Sequence, residues 1–393
     1  SRRVGQKKYD QCGIALRNMH IFAFLIGIPI SILCFYLTPS IISFFIKDSE
    51  TLILCIDYAK FNFLGVYFMY GSFIFQGFYT GIEKTKIHMK AVITSNILNL
   101  YLNVGLIFGT ESIIQTLEGT QFYFLSNLWS FYDFPMLGVK GAAIGTLIAT
   151  IWLFIHYSLY LFNSDIILKY KVFKMQLSKA LFERQVTIGY PIAIQETLVM
   201  FSFTFFYKIL GLIGVFELAA TQVIFRIMHA SFMPALGVGQ ACSTLVGKFL
   251  GEGNPDQAEQ SIYESLRGSL YIMGSVGICF ILFSHPIITL FTNDVDVIRI
   301  AVPGLKFVGL LQFVDAICFT LWFALTGAGD TKVPALVDIL LHWVFFVPAC
   351  YILGITFGLG FWGPWLAFGL HLTCFSVFIF SRFRRGYWKK IIV

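Results

Sequence analysis

Apolar runs of about 20 residues recur from one end of the chain to the other, and about 20 residues of helix cross a bilayer. Short polar or glycine-containing stretches separate them. The pattern predicts ten spans, at about 19–39, 52–79, 88–108, 137–162, 186–212, 217–246, 263–285, 297–325, 333–355 and 361–381. Short alternating strands, the mark of a transmembrane barrel, are missing from the pattern. The fold class it predicts is all-α, a polytopic integral membrane protein.

The spans are not independent. Thr326-Gly327-Ala328-Gly329-Asp330-Thr331-Lys332 and Thr80-Gly81-Ile82-Glu83-Lys84-Thr85-Lys86 both lie between long apolar runs, 246 residues apart. The same offset pairs Gly5 with Gly251, Asp10-Gln11 with Asp256-Gln257, Ile41-Ile42 with Ile287-Ile288, and Asp48 with Asp294. A constant offset over so long a stretch means two homologous halves. Duplicated membrane halves usually frame a substrate path. In the second half two spans precede Gly251, whereas four residues precede Gly5, and the chain begins with Ser1. The expectation is that about 70 residues with two helices precede this sequence in the whole protein, giving six plus six helices in parallel halves. Residues 1–165 would then be a truncated first lobe of four spans, and 180–393 a second lobe of six. Gly138 and Gly141 match Gly360 and Gly363 at an offset of 222, so the first half carries 24 extra residues around 109–137. That insertion is aromatic and has no Lys or Arg, which suits a helix lying at the membrane interface or an external loop.

Composition agrees with the pattern. Hydrophobic residues are 57% of the chain and charged residues 12%, where a soluble domain carries about a quarter. No secretory signal peptide is visible. The net charge of +7 matters through its distribution, because cytoplasmic loops collect Lys and Arg. Alternate connections hold 21 against 3, and four more lie inside spans. This asymmetry predicts that both termini and both T-G-x-x-x-T-K loops of a multi-pass protein lie in the cytoplasm, and the expected location is the plasma (inner) membrane. Nucleic acid is not an expected partner. The eight cysteines are scattered without a C-x-x-C pair and read as small, reduced core residues.

The chain resembles the multidrug and toxic compound extrusion (MATE) family of secondary transporters, in its bacterial NorM-like or DinF-like branches. The resemblance rests on Arg3-x-Gly5 with Asp10-Gln11, and on Gly77-Phe78-x-Thr80-Gly81-x-x-x-Thr85-Lys86. In the second half it rests on Gly189-Tyr190-Pro191, Met233-Pro234 with Gly237, Leu245-Val246-Gly247 with Leu250-Gly251, and Thr326 to Lys332. It implies a two-lobed, twelve-helix exporter in which organic cations leave in exchange for protons or sodium ions. It implies no cofactor and no catalytic residues. Thr80, Gly81, Thr85, Lys86, Thr326, Gly327, Thr331 and Lys332 would be structural motifs on the cytoplasmic side.

Charged groups inside spans are functional candidates by default. Asp315 lies 12 residues before Gly327, a spacing at which some members of the family carry an acid implicated in cation coupling. Its counterpart in the first half is Met69. Glu196 follows Pro191 by about one turn. It reads as an ion- or proton-carrying carboxylate, or as a structural partner of Lys208 or Arg226. The family places a Glu about three positions further on, at Val199 here. A sodium ion at Glu196 and Asp315 is the one metal that the resemblance admits. Asn96, Asn99 and Asn103 share one helix face and read as a polar stripe toward the cleft or as a helix–helix hydrogen-bond seam. In one branch the position of Asn103 is an Asp that carries protons, which Asn cannot. Asp338 and His342 sit four apart and read as a buried pair or as a proton-linked one. Arg226 and His229 read as braces. His156 and His371 are assigned structural roles.

Among rival classes, an ATP-driven pump lacks its phosphate loop, and the acids are too dispersed for a membrane enzyme. A flippase for lipid-linked oligosaccharide or a related lipid-linked precursor is the alternative. It would be expected to hold several cationic residues in its cleft, and the T-G-x-x-x-T-K loops favour the exporter. The expected partners are small organic cations, which the many aromatic rings could bind, and membrane lipids around a monomer.

Overall fold

The structure is a computed structural model and describes all residues except Lys47, Met175, Ile392 and Val393. Lys47, the basic residue counted between the first two spans, therefore lies outside the described residues, as does the end of the predicted second lobe. The described residues form helices joined by turns, with no strand among them. The helices are α1 (Arg2–Gly5), α2 (Tyr9–Phe45), α3 (Ser49–Leu64), α4 (Val66–Gly81), α5 (Thr85–Phe108), α6 (Thr110–Leu117), α7 (Gly138–Tyr160) and α8 (Ser164–Tyr170). They continue with α9 (Lys179–Ile213), α10 (Val215–Gly251), α11 (Pro255–Leu282), α12 (Ser284–Thr289), α13 (Val295–Ala328), α14 (Lys332–Leu340), α15 (Val347–Tyr351) and α16 (Trp362–Arg384).

Among the described residues eight helical stretches are long and apolar enough to cross a membrane, seven of them single helices and the eighth the continuous run Lys332–Thr356 through α14 and α15; the number is nine if α3 and α4, bent by 46° at Gly65, count as one span. The ten predicted spans are thus not all reached among the described residues. The shortfall is 217–246, which is helical as part of α10 but is interrupted by Gln222, Arg226 and His229. Such groups weaken its case as a lipid-facing span.

The chain divides into two compact units, Lys8–Phe182 and Glu183–Val393 together with Ser1–Lys7. The first seven residues, placed by the sequence reading with the first lobe, pack with the second unit. In the first unit α2 packs on α3, α4 and α8, and α7 on α3, α4 and α5. Its core is aromatic: the Tyr79 hydroxyl donates to the Tyr157 carbonyl at 2.8 Å, and Phe75 lies between the rings of His20 and Tyr157. The insertion folds back on this unit. Trp129 stacks on Tyr101 and donates from Nε1 to its carbonyl at 2.9 Å. The insertion is therefore tied down, as the short helix α6 followed by a 3-10 turn at Tyr123–Leu128.

In the second unit α13 is central, packed by α10, α11, α12 and α16. Lipid tails are as apolar as leucine, so helices associate in membranes through close packing at small residues. Gly277 of α11 and Gly309 of α13 supply this: a Cβ on either would lie 2.5 or 2.6 Å from the other's carbonyl oxygen. Gly327 likewise faces the Ser243 carbonyl of α10, 2.4 Å from where its Cβ would stand. Around these crossings Phe206, Ile224, Leu305, Phe346 and Trp365 form one core cluster, and Val246, Ile262, Leu321, Leu325 and Ile379 another.

The 246-residue repeat is visible in the backbone. Glu83 (φ 63°) and Gly329 (φ 87°) are both left-handed and end α4 and α13 with the same bonds. In the first turn Glu83 N donates to Thr80 O and Lys84 N to Tyr79 O; in the second, Gly329 N donates to Thr326 O and Asp330 N to Leu325 O. These close the helix ends as αL caps do. Lys7 (φ 58°) and Gly253 (φ 76°) form a second equivalent pair, and Gly138 (φ 55°) and Gly360 (φ 56°) a third at the other offset. Asp48 and Asp294 both cap the next helix, accepting from Thr51 N at 2.8 Å and Val297 N at 3.2 Å. The hydrogen bonds from Thr51 hold the exposed Asp48 carboxyl below the usual carboxylate range.

Candidate functional site

The packed α13 carries one of the buried carboxylates of the second unit, Asp315. Asp315 is 8% exposed, and no hydrogen bond or ion pair reaches its carboxylate among the described residues. One turn earlier lies Gln312, 1% exposed, with its Oε1 unpartnered. Nearby, Thr320 of α13 donates to Ser269 of α11 at 2.7 Å. An unpaired carboxylate at this depth is stable only with its charge neutralised, by a proton or a bound cation.

A second polar group is built where α14, α16 and α9 meet. Asp338 accepts from Gln195 Nε2 at 2.6 Å through Oδ2. Its Oδ1 lies 3.2 Å from His342 Nδ1 and 3.5 Å from His371 Nε2. The two imidazole rings stand 4.0 Å apart. All four residues are buried. His342 lies in a π-helical stretch, Leu341–Phe346, which follows α14, and a second such stretch, Ile352–Thr356, follows α15. Pro348, lacking an N–H and crowding the carbonyl four residues back, accounts for the widened turn. Such π segments concentrate at functional sites.

The predicted site residues therefore separate. Asp338 and His342 come together as read, with two partners the sequence reading missed. His371 is assigned a structural role there and Gln195 none. The rule that an intramembrane ionisable residue is a functional candidate, applied evenly, picks out His371 on α16. Glu196 is exposed on the unit's surface, although within electrostatic reach of Asp338 and His342. No ion pair joins it to Lys208 or Arg226 among the described residues.

In the first unit Asn99 donates to Thr146 Oγ1 at 3.4 Å and Asn103 to Asn99 Oδ1 at 3.2 Å. Asn103 presses on Gly145, and Ser95 donates to the Ala149 carbonyl. Asn99 and Asn103 thus lie in a hydrogen-bonded seam between α5 and α7, while Asn96 is exposed. His156 joins that seam through Thr94, at 2.9 Å.

The T-G-x-x-x-T-K stretches form helical hairpins. Thr326 donates to the Trp322 carbonyl, Gly327 meets α10, Thr331 precedes α14 and Lys332 opens it. Asp330 accepts twice from Arg382, at 2.6 and 2.8 Å. Arg2 donates to the Ala328 carbonyl at the end of α13. In the other copy Thr80 and Gly81 end α4, Thr85 opens α5, and Lys86 is exposed.

The family model described as MatE matches residues 1–104 and 191–352. The chain is 28% identical over 327 residues to "Probable multidrug resistance protein NorM" of Thermotoga maritima, an alignment covering 81% of this chain and 64% of that protein. It is 28% identical over 312 residues to the protein of the same description from Pasteurella multocida, covering 78% and 63%. The chain thus spans less than two thirds of the length of either relative. Among solved structures, "Crystal structure of MATE in complex with MaD3S" superposes with a TM-score of 0.85 at 19% identity, covering 99% of this chain and 82% of that one.

Proposed function

This chain belongs to the MatE family, and from that premise we propose that the whole protein is a secondary active antiporter. It exports organic cations by alternating access, in exchange for protons or sodium ions. The observation that carries this reading is Asp315, an unpaired carboxylate buried in the central helix of the second unit. Such a group changes its interactions with each cation it takes up or gives away, and a conformational equilibrium shifts by the differential affinity of its two states. Asp315 is accordingly the principal coupling residue. Glu196, exposed on α9, is an auxiliary carboxylate at the surface. The NorM relatives are named for multidrug resistance, which supports small organic molecules as the cargo. The protein's location in this reading is the inner membrane, and the basic-residue asymmetry supports cytoplasmic termini. The lipid-linked-sugar flippase draws no support from these relatives.

The test uses the full-length protein in proteoliposomes with a fluorescent cationic dye. Asp315→Asn removes the titratable, cation-holding group at nearly constant volume. It is expected to abolish gradient-driven export while leaving size-exclusion behaviour and helix content unchanged. Wild-type export by Asp315→Asn under the same gradient removes this residue from the mechanism. Glu196→Gln is expected to lower the rate without abolishing it.

A further inference from the structure

We propose that Asp338, His342 and His371 form a binding site for a divalent transition-metal ion of the zinc or cobalt class. One imidazole nitrogen from each histidine and one oxygen of Asp338 lie within 4.8 Å of one another, and all three residues are buried. A tetrahedral ion with bonds of about 2.0–2.1 Å sets its ligand atoms about 3.3 Å apart. The two separations from Asp338 Oδ1, 3.2 Å to His342 Nδ1 and 3.5 Å to His371 Nε2, already approach that figure.

The donor set selects the ion. Two imidazoles with one carboxylate suit zinc, cobalt or nickel, whereas an ion that prefers oxygen ligands gains little from the nitrogens. His342 Nδ1 also faces the Asp338 backbone carbonyl at 3.0 Å. To bind through Nδ1 it takes the tautomer with its proton on Nε2. His371, bound through Nε2, keeps its proton on Nδ1. Any further proton held by the cluster is released to solvent on binding.

Unpartnered atoms on the same side chains point the same way. His371 Nδ1 and the Oε1 of Gln195 are buried without a hydrogen-bond partner among the described residues, and His371 Nε2 has only its 3.5 Å approach to Asp338 Oδ1. A tetrahedral ion held by these three residues has room in its shell for a fourth ligand such as water. The π-helical turn that carries His342 is a second, independent feature of the place. The next residue on α9 after Gln195 is Glu196, whose carboxylate is exposed. An ion here would tie α14 and its π turn to α16 beside α9. This site shares no residue with the one at Asp315 and does not depend on the export reading.

The experiment uses the full-length protein in detergent, with any affinity tag removed and chelator treatment completed before Co2+ is titrated. The expected result is one equivalent of Co2+ with the visible absorption bands of a tetrahedral nitrogen–oxygen site, displaced by Zn2+. His342→Gln and His371→Gln are each expected to weaken binding at least about tenfold, the smaller effect seen for outer-shell partners of metal ligands. Asp315→Asn, which leaves the cluster intact, is expected to bind as wild type. Should the histidine variants aggregate, Zn2+-induced thermal stabilisation of the wild type and of Asp338→Asn supplies the comparison, with stabilisation expected only in the wild type. Absence of the Co2+ bands, or bands unchanged in folded His342→Gln and His371→Gln, overturns the proposal, and a cluster that takes protons only gives that result.

Discussion

Asp330 is held almost out of solvent by a two-pronged contact with Arg382, the side chains being 5% and 20% exposed. Removing one partner of such a pair strands the other charge, which costs about 3–5 kcal/mol, far more than losing an exposed pair. Arg382→Ala is therefore expected to lower the thermal stability of the detergent-solubilised protein markedly. The double variant with Asp330→Asn recovers most of it. A single variant that melts like the wild type would show that the pair contributes nothing. Other residue-level features were readable in varying degree. Asp338 and His342 lie four apart on one helix, so their meeting follows from period alone. His371 and Gln195 meet them across helices 33 and 143 residues away in sequence, and no local pattern carries that. The Asn99–Asn103 seam was one of two readings of the same face. What decides for the seam is the approach of α7 at Gly145, a tertiary contact.

At the scale of elements, the repeat sets the turn geometry more firmly than residue type does. Lys7 adopts a left-handed backbone where its counterpart Gly253 does so without a Cβ. A left-handed non-glycine residue costs about 1–2 kcal/mol. Lys7→Gly is thus expected to raise stability by about 1 kcal/mol, and Gly253→Ala to lower it by a similar amount. Thermal melts of the two variants check this, and changes of the opposite sign would break the equivalence of the turns. Helix positions and the duplicated hairpins were legible because apolar length and glycine placement dictate them. Other features were not. The bend at Gly65 and the π turns before and after α15 depend on packing and on Pro348, and an apolar run reads the same whether its helix is regular or widened. The insertion was legible as non-spanning, but its attachment through Trp129 to Tyr101 was not, since nothing in the run itself names the acceptor.

At the scale of the whole molecule, the basic-residue asymmetry predicts sides. Lys86 and Glu118 are both exposed, so accessibility at either is decided by topology rather than by burial. Asp330 would be a poor reporter because it is buried. In a full-length protein freed of its native cysteines, Glu118→Cys is expected to react with a membrane-impermeant thiol reagent in intact cells. Lys86→Cys is expected to react only after lysis, and the reverse labelling would invert the orientation. The central claim is that ion movement drives export. Its most direct measurement is dye transport by full-length wild-type protein in proteoliposomes, with proton and sodium gradients imposed separately and each collapsed by an ionophore. Uphill dye movement that depends on one of the gradients and stops when it is collapsed is the predicted result. Dye movement that only equilibrates, at the same rate with either gradient or none, would contradict it.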